Sequence, residues 1–85
     1  MYIHIGQGSV ILAEDIVGIF DLDITSQSHI TRAFLRNSEK RGIVENAAED
    51  IPKTFILCSS SGKDTVYLSQ PAAATLLKRA ESNTL

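Results

Sequence analysis

Three side chains in this sequence could ligate a transition metal strongly, His4, His29 and Cys58, and they share no ligand spacing. His4 falls in an alternating stretch and reads as a sheet-surface residue, while His29 opens a helical pattern and reads as a first-turn residue. Cys58 would need a neighbouring base to become a nucleophile, and none lies near it in the chain. On an apolar strand it reads as a small hydrophobe. Gly6-Gln7-Gly8 begins like a dinucleotide loop, but G-x-G-x-x-G requires glycine where Ile11 stands. Ser61-Gly62-Lys63-Asp64-Thr65 resembles part of a phosphate-binding loop, whose first glycine and metal-binding hydroxyl would fall at Leu57 and Asp64. Both segments therefore predict hairpin turns.

Carboxylates fare no better. Asp21 and Asp23 could begin a calcium loop, yet Thr25 and Ser26 leave the third ligand and the turn glycine incomplete. Glu14-Asp15 and Glu49-Asp50 are adjacent pairs in expected loops, where solvation keeps carboxylates away from acid–base work. No G-x-S-x-G elbow is present for a serine nucleophile. The expectation is a protein that is not an enzyme, with no catalytic residue, no cofactor and no metal.

The distribution of charge is the positive signal. Six of the eight basic residues, Arg32, Arg36, Lys40, Arg41, Lys78 and Arg79, lie in two expected helices against Glu39 and Glu81, leaving those helices at +4. The remainder, Lys53 and Lys63 against eight carboxylates, stands at −6. Arg32, Arg36 and Lys40 recur every fourth residue and form one helical stripe. On a single chain such a stripe is a solvated face. Repeated around a ring of subunits it would become a polyanion-binding surface, or it could pair with acidic surfaces of neighbouring subunits.

The elements that must carry these residues follow from periodicity. Residues 2–5 and 9–12 alternate as a hairpin, and 16–20 is apolar on both faces, as in a central, buried strand. Gly18 within it marks a bulge or a close approach. Residues 29–41 change to helical period with Ile30, Ala33, Phe34 and Asn37 on one face, Ser26 or Ser28 as N-cap and Gly42 past the C-terminus. Leu35 falls off that stripe, in a position to face a neighbouring subunit. Residues 43–52 read as a surface loop with a short extended segment, 54–58 as a fourth strand and 65–69 as a fifth. Pro71 suits a first helical turn, and Ala73, Leu76, Leu77 and Ala80 make the apolar face of the closing helix. The order β-β-β-α-β-β-α predicts an α+β domain, a small mostly antiparallel sheet of about five strands with two helices. Residues 1–81 are expected to form it, with 82–85 a frayed tail.

With 85 residues, 44% hydrophobic and 21% charged, the chain has the make-up of one small globular domain. No apolar run approaches the ~18 residues of a membrane span, and the first residues carry no secretory pattern. One cysteine and no leader predict a cytoplasmic protein without membrane contact. A chain this short buries only about 60–65% of its unfolded surface, which favours self-association.

Several stretches together resemble the RemA/RemB family of bacterial extracellular-matrix regulatory proteins, most closely its RemB branch. They are Tyr2-Ile3-His4-Ile5-Gly6, Asp15-Ile16-Val17-Gly18-Ile19-Phe20-Asp21, Pro52-Lys53-Thr54, Tyr67-Leu68-Ser69 and Thr75-Leu76-Leu77-Lys78-Arg79-Ala80. The resemblance spans residues 2–80. It implies a DNA-binding transcriptional regulator of matrix and biofilm genes, a ring-shaped homo-oligomer with a LytTR-like core. Where the family places a basic residue after the first hairpin this chain has Glu14 and Asp15, and where it places an arginine pair before the fourth strand this chain has Pro52 and Lys53. The expected DNA-binding residues are thus Lys53, Arg32, Arg36 and Lys40, with double-stranded DNA as partner. The alternative is an oligomeric structural or adaptor protein that binds a regulatory protein partner and not DNA.

Overall fold

The computed structural model describes residues 1–25 and 27–82. Six strands and three helices follow in the order β1 (Tyr2–Gly6), β2 (Ser9–Leu12), β3 (Ile16–Asp21), α1 (Leu22–Thr25), α2 (His29–Lys40), β4 (Val44–Asn46), β5 (Thr54–Ser60), β6 (Lys63–Ser69) and α3 (Ala73–Ser82). A 3-10 turn over Ala13–Asp15 leads into β3. The α+β class stands, with two sheets instead of one. β1 and β2 pair alone as an antiparallel hairpin, and the other four strands lie in the order β3-β5-β6-β4. The short extended segment expected within residues 43–52 is β4, and it pairs in parallel with β6. Pattern reading counted about five strands because three residues are too short to show alternation.

Two tight turns build the antiparallel ladders. Gln7 and Gly8 join β1 to β2, and Ser61 and Gly62 join β5 to β6, each with positive φ at both positions. That conformation follows the right-handed twist of the strands it connects. The segment that resembled a phosphate-binding loop is therefore a hairpin tip. Gly6 belongs to β1, at the shift of register against β2.

The strand expected to be central and buried is β3, which lies at the sheet edge with Val17 exposed, because the inner place is taken by β5, flanked by β3 and β6, with Thr54, Phe55, Ile56 and Cys58 buried. The alternation of β5 separates two layers. Ile56 and Cys58 face the hairpin and α3, where they meet Ile3, Ile5, Ile11, Ala47 and Leu76. Phe55 and Leu57 face the opposite side, the side of α2. Hydrogen bonds tie the first layer together: Ser69 Oγ donates to the carbonyl of Ile5, Thr54 Oγ1 to that of Pro71 at 2.7 Å, and Arg79 Nη1 to that of His4 at 2.8 Å. Among the described residues no buried side-chain nitrogen or oxygen lacks a partner. Burial without such a partner would cost on the order of 1–3 kcal/mol per group.

The helices depart from expectation in detail. Ser28 is the N-cap of α2, its hydroxyl accepting from Thr31 N at 3.4 Å, while Ser26 lies outside the described residues. Gly42 follows the last turn with φ 71° and donates to Glu39 O at 3.0 Å. The face that α2 turns inward is not the expected one. Thr31, Leu35 and Ser38 are its inward positions with Phe34, and Ile30 stands 80% exposed. The helix is rotated by more than a quarter turn, since positions 31, 35 and 38 lie about 100° from the centre of the predicted stripe, and Phe34 is common to both faces. Leu35, expected to point outward, is half-buried. In α3, Leu76 is buried and Ala80 packs on the core, but Leu77 is exposed. Pro71 precedes α3 instead of occupying its first turn, because the first helical hydrogen bond runs from Leu76 N to Ala72 O. Residues 83–85 of the expected tail lie outside the described residues.

Candidate nucleic-acid interface

Arg32, Arg36 and Lys40 all project from the outward side of α2, opposite its inward positions, and all three are exposed. Arg32 Nη1 donates to Gln27 O at 3.1 Å, which ties that guanidinium to the helix entry. Lys53 stands on a different element, the segment entering β5. Its backbone is fixed at both ends: Lys53 N donates to Ser69 O at 3.0 Å, and its carbonyl accepts from Leu22 N at 2.9 Å. Its side chain is exposed. The four basic residues thus share solvent access but not a common element.

The carboxylates have local tasks. Asp21 Oδ1 accepts from Asp23 N at 2.8 Å and Ile24 N at 3.3 Å, so it caps α1 instead of opening a calcium loop. Glu14 takes the Met1 ammonium at 3.0 Å. Asp50 Oδ1 accepts from Ile51 N, and Asn46 Oδ1 from Ala48 N, both at 2.9 Å, shaping the loop between β4 and β5. Cys58 is buried, and burial together with the negative charge of Asp15 pushes its thiol up to about 11. A protonated, shielded sulfur is a poor nucleophile and a poor metal ligand. Burial also raises the Tyr67 hydroxyl, with smaller contributions from Cys58, Glu45 and Asp15.

One surface had no counterpart in the pattern reading. Phe20 and Phe55 stack across β3 and β5 with ring centroids 4.8 Å apart, and Phe34 of α2 leans on Phe55 at 6.3 Å. Beside them a groove of about 260 Å³ opens between sheet and helix, lined by Phe20, Ile30, Thr31, Phe34, Phe55 and Leu57. Gly18 makes room for it: a Cβ there would lie 2.6 Å from the Phe20 ring, so only glycine lets that ring lie flat along β3. The repeated aromatic residues were the available signal, but their convergence depends on strand pairing.

No protein-family model matches the sequence. Over 81 residues, covering 95% of this chain and 91% of the relative, the sequence is 33% identical to extracellular matrix regulatory protein B of Bacillus subtilis strain 168. The chain belongs to the RemA/RemB family. The stretches that carry the RemA/RemB resemblance are scaffold: β1, the edge strand β3, the entry to β5, the end of β6 and the face of α3. The α2 stripe lies outside all of them. Of the four residues expected to bind DNA, Lys53 alone stands within a stretch that carries the resemblance of this RemA/RemB member to its family. Glu14 and Asp15, where the family carries a basic residue, sit in the 3-10 turn before β3.

Proposed function

We propose that this RemA/RemB member is a DNA-binding transcriptional regulator of matrix and biofilm genes, acting in the cytoplasm by binding and not by catalysis. It works as a ring-shaped homo-oligomer built on a LytTR-like core. The observation that carries the reading is the match along nearly the whole chain to a protein named as an extracellular matrix regulator. The exposed side chains of Arg32, Arg36, Lys40 and Lys53 supply the chemistry. One such set is modest, but each subunit of a closed assembly contributes its own, and phosphate contacts accumulate with each copy.

The test is binding to duplex DNA across a salt series, with assembly mass followed by light scattering. Affinity should fall steeply with salt, and Lys53→Ala should lower the slope of log K against log salt by about 0.9 for each phosphate contact removed. Arg36→Ala with Lys40→Ala should weaken binding across unrelated sequences alike. An assembled protein without affinity at low salt would overturn the DNA reading. It would favour the adaptor reading, to which the open apolar groove lends a specific surface.

A further inference from the structure

We propose that the depression between the first hairpin turn and the loop after β4 receives an arginine side chain, presented by a basic segment of another protein. The depression holds about 310 Å³ and is lined by Gly6, Gln7, Ala47, Glu49, Gln70 and Pro71. That volume stands at the lower end of small-ligand pockets, about 300–1,000 Å³, and suits one long side chain better than a folded surface. The site is separate from the residues assigned to DNA, since none of Arg32, Arg36, Lys40 and Lys53 lines it.

Its walls are set by the fold. Gly6 has φ 147°, and a Cβ there would collide with the carbonyl of Ala47, so glycine lets the hairpin turn lie against the loop. Ala47 is buried and donates its N–H to Leu68 O at 2.9 Å, and Asn46 Oδ1 accepts from Ala48 N at 2.9 Å, which fixes the backbone leading to Glu49. On the other wall Gln70 follows buried Ser69, whose hydroxyl donates to Ile5 O. The Pro71 carbonyl accepts from Thr54 Oγ1 at 2.7 Å. A receptor shaped before its guest arrives loses little freedom on binding.

The lining names the guest. Ala47, Pro71 and the backbone of Gly6 offer apolar surface for an aliphatic stem. Glu49 supplies a carboxylate, and Gln7 and Gln70 supply amide oxygens, so a head group with several donors meets several acceptors. None of these three side chains has a hydrogen-bond or ion-pair partner among the described residues. The missing partner is a cation: residues 42–52 hold Glu45, Glu49 and Asp50 and no lysine or arginine. Glu45 and Asp50 are exposed on the same stretch and complement further basic residues flanking the guest. Arginine suits the site better than lysine, because its planar guanidinium spreads five donors in fixed directions while an ammonium is a strongly hydrated point charge. Phosphate is disfavoured there by the same carboxylates.

The test titrates the full chain into a short fluorescent peptide carrying two arginines, and into its twin carrying lysines, read by anisotropy. The arginine peptide should bind, and the lysine twin should bind about tenfold more weakly, as a bidentate pair becomes a point contact. Glu49→Gln should cost the arginine peptide a similar factor, about tenfold. Asp64→Asn removes the same charge at the opposite end of β6 from Gln70, and should change affinity by less than about twofold at physiological salt. Both positions are exposed, so circular dichroism should stay parental in each variant. In isotope-labelled protein, the amide resonances that shift on titration should cluster at Gly6, Gln7, Ala47, Glu49 and Gln70. Equal binding of the two peptides, or equal losses in the two variants, would reduce the attraction to net charge and overturn the site. Shifts confined to other residues, or no binding even at low salt, would overturn it as well. N-acetylarginine amide should displace the peptide only at far higher concentration, and displacement at equal concentration would overturn a protein segment as the source.

Discussion

Gly18 and Phe20 illustrate how one missing atom organises a surface. Both face the α2 side of the sheet, and the Phe20 ring occupies the space above position 18, stacked on Phe55. Gly18→Ala should therefore displace the ring from its stack on Phe55, and because Phe20 is partly exposed and can swing outward the loss should stay on the order of 1 kcal/mol. Equilibrium urea unfolding measures it, and Phe20→Leu in the same chain should relieve much of the loss. Cys58 gives a second residue-level expectation. Burial, with the negative charge of Asp15, pushes its thiol up to about 11 in the folded state, so between pH 9.0 and that value the folded state keeps a proton that the unfolded state releases. Stability from this group is complete below the unfolded value and declines as pH rises toward 11. The thermal midpoint should fall between pH 9 and 11, and less steeply in Cys58→Ala, where Tyr67 with its own raised pKa still contributes. The folded thiol should also resist alkylating reagents at pH 8, and ready modification in the native state would contradict the burial of the sulfur.

At the scale of elements, α2 is the informative case. Its existence, cap and end were legible in residues 28–42, because helical period, a serine and a glycine stood at the right offsets. Its orientation was not. Two stripes share Phe34, one through Ile30, Ala33 and Asn37 and one through Thr31, Leu35 and Ser38. The sheet settles between them by what Phe55 can reach. Hydrophobicity favours the first stripe, and packing selects the second. Ser38 accepts burial because its hydroxyl donates to Phe34 O at 2.9 Å. The basic stripe was legible from spacing alone, since it stays outward under either orientation. The groove was not, because it needs the β3–β5 register that brings Phe20 opposite Phe55. Ser28→Ala should cost about 1 kcal/mol through loss of the cap, seen as a lower thermal midpoint.

For the molecule as a whole, the four-stranded sheet is apolar on both faces, and the two faces are covered unequally. Hairpin and α3 close one side around Ile56, which has no exposed surface; Ile56→Ala should cost about 2–5 kcal/mol, read from urea unfolding. The other side rests under a helix in which Ser38 is the buried residue. That inequality sets a hierarchy of motion. Amides of β5, held between two strands, should exchange with deuterium only when the chain unfolds globally, while those of α2 should exchange through local opening at far smaller free energy. Any occupant of the groove would slow exchange in α2 and leave β5 nearly untouched. The helix thus reports on its own cover, with a proton clock that runs fast while the groove is open and slow once it is filled.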